Sequence, residues 1–215
     1  ALSQTETFDK NNVVSNDALL DGTHITQAQL QRFLEKTPWS KRSALADYTT
    51  DSGKSASVVM QEAAETYGIN VLELLVRAQM EQRLVSRTAD ELKSDGDEDK
   101  LDIAFGCGCP HAPVCKTSPD KYTGFEKQVA CAAKLIADDM GTLKGGTSLR
   151  NGWRVGKMIT TEDGVDITPS NYATATLYSY TPYAGGKGGG NNAQVGGMYL
   201  HWQIWQSFAG TMNYK

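Results

Sequence analysis

Apolar positions along this chain recur mostly at intervals of three and four, the period of a helix lying against a core, and only briefly alternate. In THITQAQLQRFLEK the residues Ile25, Leu30, Phe33 and Leu34 keep helical spacing, and Thr26 stands where an N-cap belongs. SASVVMQEAAETYGI sets Val59, Met60, Ala63 and Tyr67 on one side, with Gly68 fit to end the helix. The next helix is predicted over residues 71 to 86. It is apolar nearly all round in its first turns, the mark of a central buried helix. TGFEKQVACAAKLIADDM presents Phe125, Val129, Ala132, Ala133 and Ile136 as a core face and stops near Gly141. SNYATATLYSY and GMYLHWQIWQSFAG predict two more helices, the last turning Tyr199, Trp202, Trp205 and Phe208 inward. Between residues 142 and 170 the patches WRVGKMI and GVDIT predict a small hairpin or irregular excursion, and AGGKGGGNNAQVGG reads as a flexible loop. Residues 1–20 are polar and aperiodic and read as an arm before one mainly α domain over 21–215.

One position breaks the pattern. Leu74, Ala78, Glu81 and Val85 share a face of the central helix, so a carboxylate falls where the period asks for an apolar side chain. Two readings are open. Glu81 pairs on the surface with Arg77 four residues earlier, although Glu73 is the better-oriented partner for that arginine. Alternatively Glu81 lines an apolar cleft, where desolvation raises its pKa and gives it the property of a general acid.

Composition narrows the setting. With 215 residues, 40% hydrophobic and 21% charged, the chain has ordinary globular proportions. No run approaches the roughly 18 apolar residues of a membrane span. A net charge of −4 without a basic stripe argues against a nucleic-acid binder. Acid concentrates in ADELKSDGDEDKLD, residues 89–102, which reads either as a solvated loop or as an acidic lip beside a binding cleft. The four cysteines are separated by one, five and fifteen intervening residues, which does not suit a zinc knuckle. Two disulfides suit it better, Cys109–Cys115 and Cys107–Cys131, because near neighbours bridge poorly. Disulfides in turn imply an oxidising compartment, hence a secreted or periplasmic protein whose signal peptide has been removed.

Other motifs fail on inspection. DSGKS lacks the first glycine of a phosphate loop and is read as a turn. DGDEDK lacks the glycine and the final bidentate acid of a calcium loop. His24, His111 and His201 are scattered, so no metal and no cofactor is expected.

YGINVLELLVRAQMEQRLVSR resembles the catalytic-helix signature of lysozyme-like and soluble lytic transglycosylase-type muramidases. IAFG, Ile103 to Gly106, stands where that family has a Gly-Ala-x-Gly segment, and LYSYTPY, Leu177 to Tyr183, where it has Ala-Tyr-Asn. The ordered blocks ITQAQLQRFL, SASVVMQEAAETYGIN, LLVRAQMEQ, GCP and LYSYTPY resemble exported bacterial proteins of lysozyme-like fold, including lysozymes of predatory bacteria that act on deacetylated peptidoglycan. The resemblance covers nearly the whole chain beyond the arm.

It implies a lysozyme-like fold, mainly α, whose central buried helix carries the catalytic glutamate, and an enzyme that cleaves the β-1,4 bond between N-acetylmuramic acid and N-acetylglucosamine. Glu81 is then the general acid, and Tyr178, Tyr180, Phe105 and Gly106 are the substrate-binding residues. The expected partner is peptidoglycan, and the expected state a monomer. Three departures bear on how an acetyl group is held: Gln82 replaces a serine, Cys107-Gly108-Cys109 a Leu-Met-Gln, and Ser179 an asparagine. Asp95, Asp97, Asp99 and Asp102 follow Glu81 closely enough to supply a second carboxylate that activates water. The alternatives are a lytic transglycosylase, in which the muramyl 6-hydroxyl attacks, and a non-catalytic glycan-binding module. The acidic charge and the altered acetyl motif favour a wall stripped of acetyl groups, whose amines are cationic.

Overall fold

A computed structural model describes residues 7–108 and 122–214. Among these residues the fold is mainly α, with eight helices and one two-stranded antiparallel hairpin. The helices are α1 (Asn16–Leu19), α2 (Gln27–Glu35), α3 (Ala56–Tyr67), α4 (Val71–Gln82), α5 (Ala89–Ser94), α6 (Phe125–Lys144), α7 (Tyr172–Tyr180) and α8 (Gly197–Met212). No helix among the described residues is long and apolar enough to cross a membrane. The chain divides into two compact units, and the boundary falls inside α6 and α8.

The larger unit, residues 22–135 and 207–214, is built on α2, α3 and α4, with α3 packing against both of the others. Their starts follow from side chains that occupy the helix's orphan N–H groups. Thr26 and Gln29 form a reciprocal capping box, Ser55 caps α3 through the Val58 N–H, and Asn70 caps α4 through the Leu72 N–H. Gly68, left-handed at φ 65°, ends α3 and lets the chain turn directly into α4. Every residue from Val71 to Ala78 is buried, so α4 is the central helix that its pattern predicts. It is shorter than expected, however, and stops at Gln82, where Arg83 turns left-handed and its N–H closes onto Ala78 and Gln79. Glu81 therefore lies in the last turn, and Val85 lies beyond the helix rather than on it.

The acidic stretch is not a loop. Thr88 and Glu91 form a second capping box that starts α5, and a 3₁₀ turn follows at Glu98–Leu101. Arg87 holds Asp95 at 2.6 Å and Asp97 at 2.8 Å, and Lys100 adds a contact to Asp97. DSGKS forms the expected turn, bridged between Thr49 and Ser55. Cys107 is joined to Cys131, one of the two expected disulfides, which fits an extracytoplasmic setting. The other, Cys109–Cys115, lies outside the described residues.

The smaller unit, residues 1–21 and 136–206, contains the hairpin. Its strands Ile159–Thr160 and Asp166–Ile167 pair in antiparallel register, Ile159 opposite Ile167. Residues 7–20, expected as an arm, are integrated here. Val13, Val14, Ala18 and Leu19 are buried, the Val13 N–H donates to Thr174, and Asn11 accepts from Thr168 and Ser170. Two valines and a run of asparagines are too short a signal for a periodic pattern to register.

The glycine-rich stretch is likewise ordered, and the reason is Asp163. This carboxylate is 1% exposed and accepts from the Thr161 hydroxyl at 2.6 Å, the Ala184 N–H at 2.9 Å and the Gly185 N–H at 2.7 Å. Burial alone would raise its pKa, but these donors outweigh burial and hold it below the ordinary aspartate value. A Cβ at Gly190 would come within 1.9 Å of the same carboxylate, so glycine there admits the backbone to the anion. Asp163→Ala should cost about 3 kcal/mol, since charge-assisted donors lose their acceptor in a buried site. Because the folded pKa is depressed, the wild type should lose that stability as pH falls through it, while the variant should show no such loss. Urea titrations at neutral and acid pH read both effects.

Candidate functional site

Glu81 meets the solvent at the end of the buried helix. Leu74 and Ala78, two turns and one turn earlier on its face, are completely buried, whereas Glu81 is exposed. The apolar stripe that Glu81 shares in the sequence pattern ends with α4, so the carboxyl stands at the edge of that stripe and not among its buried members. Burial nonetheless raises the Glu81 pKa, with the positive charge of Arg77 opposing. Water thus reaches a carboxyl that the surrounding protein still desolvates.

The surface-pair reading is not what the structure shows. Arg77 donates its Nε–H to Glu73 at 2.8 Å, with both side chains at most 1% exposed. This is the i, i+4 pair with the acid N-terminal to the base. Glu81 itself forms no hydrogen bond or ion pair among the described residues, so its proton is held by no partner. Arg77 thus acts on Glu81 only through space.

The four acidic candidates separate. Asp95 and Asp97 are tied to Arg87, and the hydrogen bonds from Lys100 and Arg87 hold the Asp97 carboxyl below its ordinary pKa. Asp102 differs, since burial first and then the nearby Asp51 and Asp99 raise its pKa. It lines a groove of about 430 Å³ with Tyr48, Leu92, Glu98 and Leu101. Glu81 is not among the lining residues of that groove. Acid does gather at a groove, as an acidic lip would, but no contact joins any of the four to Glu81 among the described residues.

The remaining candidates have different surroundings. Phe105 is buried at 1% exposure and lies 6.5 Å from the Phe125 ring, so its side chain is core and offers no face to a sugar. Gly106 makes the adjacent turn at φ 61°. What holds this turn is Gln128, whose amide oxygen accepts from the Phe105 and Cys107 N–H groups at 3.1 Å each while its nitrogen donates to the Cys107 carbonyl at 2.9 Å. Gln128 escapes sequence reasoning because it sits more than twenty residues away on α6, inside a helical pattern that assigns it nothing. In the smaller unit Tyr178 is fully buried and stacks on Trp153 at 5.1 Å and 14°. Burial raises the pKa of its phenol strongly, and its hydroxyl has no hydrogen-bond partner among the described residues. Tyr180, two residues on, is half-buried.

Among the described residues no cluster of His, Cys, Asp or Glu has the arrangement of a metal site. What the end of α4 offers is a reachable carboxyl of raised pKa, suited to proton transfer, and Asp102 in its groove is another. The chain matches no known family model, no curated protein and no solved structure.

Proposed function

We propose that the protein is a peptidoglycan-cleaving glycosidase, a muramidase of lysozyme-like fold, with Glu81 as the general acid. The observation that carries this reading is the state of Glu81: solvent-accessible, desolvated enough to raise its pKa, and without an ion pair among the described residues, where Arg77 is committed to Glu73. Such a carboxyl keeps its proton closer to neutral pH and can give it to the glycosidic oxygen as the sugar becomes oxocarbenium-like. α4 supports the role mechanically, because a helix buried on every side from Val71 to Ala78 fixes the position of its last turn.

The fate of the cation is a second question. Arg87 occupies Asp95 and Asp97, which leaves Asp99 and Asp102 as carboxylates to activate water in a hydrolase. A lytic transglycosylase needs no such carboxylate, because Glu81 first gives its proton and then receives one from the muramyl 6-hydroxyl. Preference for deacetylated strands fits the acid at Glu98 and Asp102, which suits the ammonium groups of free glucosamine.

Digestion of native and deacetylated peptidoglycan, with products identified by mass, tests the reading. Soluble muropeptides are expected, with reducing ends from a hydrolase and 1,6-anhydromuramyl ends from a transglycosylase. Retention on the glycan with no bond cleaved would instead identify a binding module.

A further inference from the structure

A second face of the larger unit carries features that the Glu81 reading does not use. Trp39 is 44% exposed, one of three large apolar side chains so exposed among the described residues. Its indole stands edge-on to Phe208, with centroids 5.9 Å apart, and Phe208 packs in the same way on Phe33 at 4.9 Å. Phe33 in turn lines a groove of about 330 Å³ together with Met212 and the cations Arg32 and Lys36. The groove and the exposed indole are therefore linked by an unbroken aromatic contact. Arg32 lies in the last turn of α2 and Lys36 caps its C-terminal end, and neither pairs with a carboxylate among the described residues. The C-terminal end of a helix favours positive charge. That accounts for cations here, but not for the groove they line or for an indole left in water on the aromatic cluster that reaches it.

We propose that this face binds an anionic carbohydrate, a sugar ring lying on the Trp39 indole while its carboxylate or phosphate meets Arg32 and Lys36. The chemistry argues for this occupant over a neutral one. An indole face accepts the flat C–H side of a pyranose, and two cations with no ion-pair partner among the described residues leave a positive field that an anion cancels. On a chain of net charge −4, two adjacent uncompensated cations mark a local departure from the average surface. The inference does not depend on the role of Glu81.

Calorimetric titration with oligogalacturonate and with a phosphate-bearing mannan fragment tests it, using a neutral galactose oligomer as the comparison. Both or either anionic sugar should bind, and the tighter one identifies the anion. Affinity should fall as salt is raised and should drop by about tenfold or more in Trp39→Ala and in Arg32→Gln/Lys36→Gln, with Glu81→Gln unchanged. All three side chains are exposed, so the variants should unfold at the wild-type temperature, which a thermal scan verifies. Equal binding of the neutral oligomer, no binding of either anion, or unchanged binding in these variants overturns the proposal. Tighter binding to phosphatidylglycerol vesicles or to polyglutamate than to the anionic sugars also overturns it. Loss of sugar binding in Glu81→Gln would place the site at Glu81 and overturn it as well.

Discussion

Glu81→Gln should abolish wall solubilisation, with a loss of about 10²- to 10⁴-fold, the usual contribution of a positioned proton donor. The substitution keeps the size and polarity of the side chain and removes only the proton that can be delivered. Because Glu81 makes no hydrogen bond or ion pair among the described residues, no internal contact is broken and the fold should survive. The sign of the stability change distinguishes this site from an ordinary surface acid. The folded protein holds the Glu81 proton more tightly than the unfolded chain does, so the native state binds the extra proton between the ordinary glutamate pKa and the raised one. Wild-type stability must then fall as pH climbs through that window, and the glutamine variant, having nothing to ionise, escapes the penalty. Glu81→Gln should accordingly match the wild type below the ordinary glutamate pKa and be slightly more stable at neutral pH. Solvent access to the carboxyl keeps the gain small. Turbidity loss of a wall suspension, paired with urea titrations at both pH values, reads activity and stability together. Full activity in the variant removes Glu81 as the acid, and lower stability at neutral pH contradicts its desolvation.

How far the chain could be read from its pattern depended on whether the force that shapes each element is local. α2, α3 and α4 were legible because each pairs a helical apolar stripe with a cap beside it: Thr26 before the first, Ser55 before the second, Asn70 after the Gly68 stop. The position of Glu81 near the end of the central helix was legible in the same way, and so was the commitment of Arg77 to Glu73. The exact end of α4 was not, since Arg83 adopts a left-handed conformation that no arginine announces. The glycine-rich segment was misread for a related reason. Its composition signals freedom, but its order comes from Asp163, more than twenty residues earlier, whose carboxylate captures two of its N–H groups. Phe105 and Gln128 belong to the same class, one turned into the core and the other clamping a turn across helix α6. Trp39 could have been singled out as an aromatic beside a proline and a basic helix end, yet its exposure is a property of packing alone.

The largest change in stability is expected from Arg77→Met, about 3–5 kcal/mol, because the carboxylate of Glu73 is left in a site with no access to water. The pair is a poor net source of stability and an effective lock. Bringing both charges out of water costs much of what their attraction returns, but removing one partner forfeits the attraction while the desolvation cost stays. The double variant Glu73→Met/Arg77→Met should therefore be far less destabilised than the sum of its single variants, with an interaction energy of about 1–3 kcal/mol in a double-mutant cycle. In the single variant the stranded carboxyl should take up a proton, so its deficit should shrink at acid pH. The consequence reaches the candidate site. Arg77 is the positive charge that opposes the upward shift at Glu81, so neutralising it should raise the Glu81 pKa further and move the basic limb of the activity profile to higher pH. A purely structural role for Arg77 would lower the amount of folded enzyme and leave that limb where it is. Measuring the pH profile on the folded fraction of the double variant, in which the buried carboxylate is gone as well, separates the two.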